Sequence, residues 1–273
     1  MTSTASTSGS TLRIPDGELY YELRGSGPLV VLIGAPMDAR PFTGLAELLA
    51  TDHLVLTTDP RGINRSKLDD PDTDATLDLR ANDLARLIRH VHAGPAIVLG
   101  SSGGAVSVLA LTQAHPELVH TVIAHEPPLN ELLPDRDELR VGFDEVMATN
   151  LAGDPRGAFQ LFLKLINMPL PDAMIDAMAS ADRPAQDLAD DRFQHAHMMR
   201  PTINWQPDVA ALKAVSSRVI IGIGAASAGQ YCDRTSRVLA DRLGIEPTLF
   251  PGGHVGFAED PVAFAARLRE VLA

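Results

Sequence analysis

A chain of 273 residues, 45% of them hydrophobic, can bury a sizeable core and fits one large α/β domain or two small ones. Its formal net charge of −12 and pI near 5.1 argue against nucleic acid or an anionic membrane as partner. A single cysteine, Cys232, excludes an internal disulfide and fits a reducing compartment.

Residues 1–10, rich in Ser and Thr, read as a flexible tail. They carry neither the basic nor the apolar region of a signal peptide, and no run in the chain approaches a membrane span, so a cytoplasmic protein is expected. Two short strands are predicted over 12–14 and 18–23, around Pro15–Gly17. Residues 29–33 form a continuous apolar run, the mark of a buried parallel strand. A helix over 43–50, a strand over 53–57 and a helix over 77–92 follow. Next come a strand over 96–99, a helix over 104–114 and a strand over 119–124. Alternation of this kind predicts a parallel sheet with helices on both faces. Residues 129–205 break it with helix after helix and hold six of the eight methionines. Most of these suit a packed core, while flexible thioethers such as that of Met168 also suit an adaptable apolar pocket. The alternation resumes with a strand over 218–223, a helix over 231–243, a strand over 247–250 and a terminal helix over 261–272. The expected organisation is a core of 11–128 and 206–273 with a helical lid, 129–205, inserted after the sixth strand.

The most informative segment is Gly100-x-Ser102-x-Gly104, between the apolar run 96–99 and the apolar helix that follows. A strand, tight turn and helix with this pattern form a nucleophile elbow, which holds Ser102 in a strained conformation with its hydroxyl outward. Side chains at 100 or 104 would collide with the neighbouring strand or helix. A serine hydroxyl needs a base. His254, in the Gly-rich loop before the terminal helix, is the best placed of nine histidines. The pairs His90/His92 and His195/His197 have i,i+2 spacing, which does not share a helix face, so no metal site is expected there. The loop after the seventh main strand, Gly224–Ser227, carries no carboxylate, leaving Glu126 and Asp233 as candidate orienting acids. Glu126, at the end of the strand after the elbow, is favoured over Asp233, which falls inside the next helix. For an oxyanion hole, the amide of Gly103 follows the nucleophile, and Ala35 precedes a proline that has no N–H to offer. Asp59–Gly62 reads as a turn beside the site, and Trp205 as a hinge residue or a pocket wall.

With the elbow, Asp59–Gly62 with Ser66, and Gly252–His254 in this order, the chain resembles the α/β-hydrolases over nearly its whole length. Ser101–Gly103, His125-Glu126-x-Pro128 and Gly224–Ala226 resemble zearalenone lactonases and related actinobacterial hydrolases. Where relatives often carry His-Gly-x-Pro, this chain has Ile33–Pro36. The resemblance implies a serine hydrolase acting on an ester or lactone through Ser102, Glu126 and His254, with Ala35 and Gly103 at the oxyanion, while Met168 and Trp205, by their own chemistry and place in the chain, are the candidate substrate contacts. No metal and no organic cofactor are expected, and the methionines of 129–205 favour a small, largely apolar molecule as the partner. Carbon–carbon bond hydrolysis or perhydrolysis on the same triad, and a catalytically weak ligand-binding protein of the same fold, remain as alternatives.

Overall fold

Residues 8–180 and 182–273 are described by a computed structural model of the chain. Two antiparallel strands, β1 (Ser8–Ile14) and β2 (Gly17–Gly25), lead into β3 (Leu29–Ile33), α1 (Thr43–Leu49) and β4 (Leu54–Thr58). The two-residue β5 (Lys67–Leu68) is followed by α2 (Leu77–Val91), β6 (Ala96–Ser101), α3 (Gly103–Ala114) and β7 (Val119–His125). An insertion then contributes α4 (Arg136–Leu151), α5 (Pro155–Leu165), α6 (Asp172–Met178), α7 (Ala185–Phe193) and α8 (Met199–Ile203). The chain closes with α9 (Val209–Ala214), β8 (Arg218–Gly224), α10 (Tyr231–Leu243), β9 (Thr248–Phe250), α11 (Gly256–Glu259) and α12 (Pro261–Leu272).

The sheet runs β1-β2-β4-β3-β6-β7-β8-β9, with β5 on β2. From β4 to β9 along this order the neighbours are parallel, and β2 is antiparallel to β1, β4 and β5. All five residues of β3 are buried because both faces of the sheet are covered. Val31 and Ile33 join one core cluster with residues of α2, α3 and α10, while Val30 and Leu32 join the other with Phe42, Phe257 and Phe264. This two-residue alternation is what a pleated strand between two helical layers requires.

Within the expected tail, the structure corrects the boundary. Ser8, Gly9 and Ser10 already belong to β1, pairing with Leu23, Glu22 and Tyr21. Ladder hydrogen bonds need no apolar side chain, and Gly9 and Ser10 are exposed, so no hydrophobic pattern marked them. Residues 1–7 of that tail lie outside the described residues. The strand β5 and the four-residue α11 are also too short to leave a periodic signal.

The insertion has its own apolar interior, built on Phe143, Val146, Met147, Met199 and Ile203 with Tyr231 from α10. A π-helical turn, Gln194–Met198, joins α7 to α8. Among the described residues, no helix is long and apolar enough to cross a membrane.

Candidate active site

The elbow is built by close backbone approach. Ser102 sits at φ 56°, ψ −127°, between the end of β6 and the first turn of α3. A Cβ on Gly100 would strike the Gly104 carbonyl, and one on Gly104 would strike the Ile33 carbonyl. One on Gly103 would lie 2.5 Å from the Ala35 carbonyl oxygen. Glycine at these positions lets the β3–α1 loop rest against the start of α3, bringing the Ala35 and Gly103 backbones together. Neither of their amides donates to a backbone acceptor among the described residues.

β6 and β7 are in register, Gly100 with Ala124 and Ser101 with His125, so the nucleophile and the acid candidate leave adjacent strand ends. The Ser102 amide donates to the His125 carbonyl at 3.0 Å. Glu126 follows with φ 54° and is fully buried. Its amide donates to Gly222 at 3.0 Å, and its Oε1 accepts from the Gly224 amide at 2.8 Å. These two bonds to β8 offset the left-handed backbone at a non-glycine residue. Oε2 lies 2.5 Å from Nδ1 of His254. Burial raises the Glu126 pKa, but the hydrogen bond and charge of His254 outweigh it and hold it at about 2. His254 itself is one-fifth exposed, at 21%.

Asp233, the other candidate acid, is committed elsewhere. Its carboxylate accepts from the Gly229 amide at 2.9 Å and from Arg237 Nε at 2.7 Å, inside α10. Asp59 accepts from the Ala39 amide and from Arg65, and Arg61 is buried between Asp16 and Asp83. The Asp59–Gly62 turn is thereby fixed to its surroundings by ion pairs. His90 bonds Tyr21, His195 the Asp191 carbonyl and His197 Asp74, while His92 is exposed.

Three residues beside the site were assigned no place there by the sequence reading. Cys232, at the start of α10, lies with Glu126 and His254 so that their ligand-capable atoms are within 4.8 Å of one another. This carboxylate–imidazole–thiol set resembles a metal site in composition. Both Glu126 oxygens, however, are already taken by Gly224 and His254, and burial pushes the thiol pKa up. His125, directly before the acid, is fully buried with Nδ1 3.2 Å from Ser101 Oγ and its ring edge-on to Phe250, Phe257 and Phe264. Arg80 is buried in α2. It occupies the apolar stripe of Leu77, Ala81, Leu84 and Ile88, and a charge in such a stripe is the signal by which it stands out in sequence.

Trp205 packs against the core on the face covered by α2, α3 and α10. Met168 packs against the interior of the insertion, in the same cluster as Cys232, and lines a groove of about 340 Å³ beside α5 and α6. The insertion's apolar interior therefore runs up to the Glu126–His254 pair through Cys232.

Residues 30–267 match the alpha/beta hydrolase family. The chain belongs to this family. It is a hydrolase-family enzyme, 31% identical over 267 residues to an uncharacterized hydrolase of Bacillus subtilis, covering 96% of this chain and 95% of that one. It is 26% identical over 271 residues to a zearalenone hydrolase of Bionectria ochroleuca, covering 94% of each. Among solved structures, an N-acyl homoserine lactone degrading enzyme shares the fold with a TM-score of 0.74 at 19% identity, over 96% of this chain and 99% of that one.

The buried imidazole gives this α/β-hydrolase a specific acid response. Burial pushes His125 down to about 4, with the His254 charge adding to the fall and Glu126 opposing it. A histidine that stays neutral when folded but titrates near 6.5 when unfolded lets the unfolded chain bind the extra proton below that value. Its contribution to stability is intact above pH 6.5 and is lost as pH falls toward 4. A loss of about 3 kcal/mol is expected over that window from this residue alone. Urea unfolding at pH 7 and pH 4.5 measures it, and His125→Asn should flatten the difference. An unchanged pH dependence in that variant would assign the acid sensitivity to other groups.

Proposed function

We propose that this α/β-hydrolase cleaves a carboxylic ester or lactone of a small, largely apolar substrate through an acyl-enzyme on Ser102. The observation that carries the reading is the Glu126–His254 contact, 2.5 Å long, beside the elbow that presents Ser102. With Nδ1 held by Glu126, Nε2 is the nitrogen that serves the serine. His254 Nε2 takes the hydroxyl proton as Ser102 Oγ forms a bond to the carbonyl carbon. The imidazolium formed is stabilised by the Glu126 carboxylate, already ionised at neutral pH. The amides of Gly103 and Ala35 receive the oxyanion, and the first turn of α3 adds its dipole. Collapse breaks the bond to the leaving oxygen, which takes the proton from His254. A water activated by the same nitrogen then frees the acid and restores Ser102.

The substrate class follows from the wall beside the triad. Cys232 and the adjoining interior of Met168, Met147 and Phe143 are apolar and offer no cation to a phosphate or carboxylate. The zearalenone hydrolase relative supports a lactone as one member of that class. No metal or organic cofactor takes part.

A panel of p-nitrophenyl esters of rising acyl length, with zearalenone and an acyl homoserine lactone, tests the proposal. Turnover with a transient acyl mass on Ser102 is the expected result, with neutral substrates preferred over anionic ones. Failure to turn over any ester or lactone, with no acyl adduct, would sink it.

A further inference from the structure

Arg80 is 3% exposed and forms no ion pair among the described residues. The nearest acid on its own helix, Asp83, spends both oxygens on Arg61, at 2.7 and 3.2 Å, and Arg61 also holds Asp16. The Arg80 guanidinium instead donates from Nη2 to the Gly103 carbonyl at 2.5 Å and from Nη1 to Thr202 Oγ1 at 2.6 Å. Its Nε has no partner. Thr202 lies in α8, one turn after the π-helical segment, and its hydroxyl donates a hydrogen bond to the Met198 carbonyl at 2.7 Å. One buried cation thus joins the insertion to the residue whose amide faces the oxyanion.

This placement is unfavourable in the resting protein. An unpaired cation in the interior loses its hydration, and here it also stands at the positive end of α3. Arg61 adds repulsion and Asp83 only partly offsets it, so burial and the neighbouring charge push the Arg80 pKa down. The missing negative charge appears only during acyl transfer. The carbonyl and amide of Gly103 are at most about 3.6 Å apart, and an oxyanion sits about 3 Å from its amide donor. That puts the guanidinium within about 9 Å of the developing charge, inside a protein wall where screening is weak.

We propose that Arg80 is a positioning residue with an electrostatic role: it clamps the Gly103 peptide, stabilises the oxyanion from behind, and makes that stabilisation depend on Thr202 holding the insertion closed. The proposal rests on the Ser102 reading above. A unit charge at this distance, at the effective dielectric of a protein interior, is worth roughly twentyfold in rate.

The test uses the full chain with a p-nitrophenyl ester, a fluorophosphonate that labels the serine, and an alkyl boronic acid as a transition-state analogue. Arg80→Met should lower kcat about twentyfold with KM changed less than about twofold, and weaken the boronic acid in parallel. Arg80→Lys should recover part of kcat. Thr202→Val keeps the charge and removes the tether, so it should cost kcat a few-fold, together with some stability because Nη1 loses its partner. Thermal unfolding of each variant separates misfolding from catalysis, and if Arg80→Met does not fold, Arg80→Lys and Thr202→Val carry the test. Losses confined to KM, or boronic acid affinity unchanged while kcat falls, would overturn the proposal. A wild-type protein that neither turns over ester nor labels at Ser102 would instead refute the serine reading, and this proposal with it.

Discussion

Ser102→Ala is expected to lower kcat for the preferred ester by at least about 10⁴-fold, and Ser102→Ala combined with His254→Ala should lose no more than either change alone. In the proposed mechanism the two side chains act in one event. His254 there accepts the proton that Ser102 gives up, so removing one leaves the other without its task. The residual rate would then come from the proposed amide donors, Gly103 and Ala35, and from binding, and neither variant touches those. Substrate KM should stay within a few-fold, because neither group is needed to hold a neutral acyl chain. Steady-state kinetics on the two single variants and the double variant decide this. Losses that multiply in the double variant would mean that the two residues act independently and that the triad is wrongly drawn.

The second large effect separates the two acids. Glu126→Gln should reduce kcat by about 10³–10⁴-fold, because a neutral amide can neither fix the imidazole tautomer nor stabilise the imidazolium. Asp233→Ala should leave kcat within about twofold and cost some stability, since it removes a hydrogen bond to the Gly229 amide and a partly exposed pair with Arg237. Glu126 also makes the ionised site sensitive to acid. Its folded pKa, about 2, lies below the ordinary 4.5, so its contribution is present above pH 4.5 and disappears as pH falls toward 2. The reverse outcome, with Asp233→Ala inactive and Glu126→Gln active, would move the acid to α10.

Much of this site was legible in the chain because its parts carry local constraints. Gly100, Ser102 and Gly104 are spaced by a turn that tolerates few other residues, and the apolar runs on either side announce strand and helix. Glu126 could be favoured over Asp233 as a candidate because Gly224–Ser227 lacks a carboxylate and Glu126 stands at the end of the strand after the elbow. The contact between Glu126 and His254 spans 128 positions, and only the strand order could show that it closes. Arg80 is marked by the apolar stripe it interrupts, whereas His125 and Cys232 depend on that same long-range assembly. Nothing in their immediate neighbours tells a buried histidine from a surface one, or which wall a cysteine faces. The start of β1 was missed for a different reason: its pairing uses backbone groups that every residue has.

Trp205 sits where the insertion rejoins the core and is the single tryptophan of the chain, with only three tyrosines beside it. The intrinsic emission of this protein is therefore a local signal. Its amide donates to the Thr202 carbonyl at 3.4 Å, and Thr202 is the residue of the insertion that Arg80 contacts. Excited at the red edge of its absorption, the molecule reports the polarity of that one junction without any label. Whether substrate changes that junction can then be read in stopped flow on the same sample, and at the same time, as the release of product.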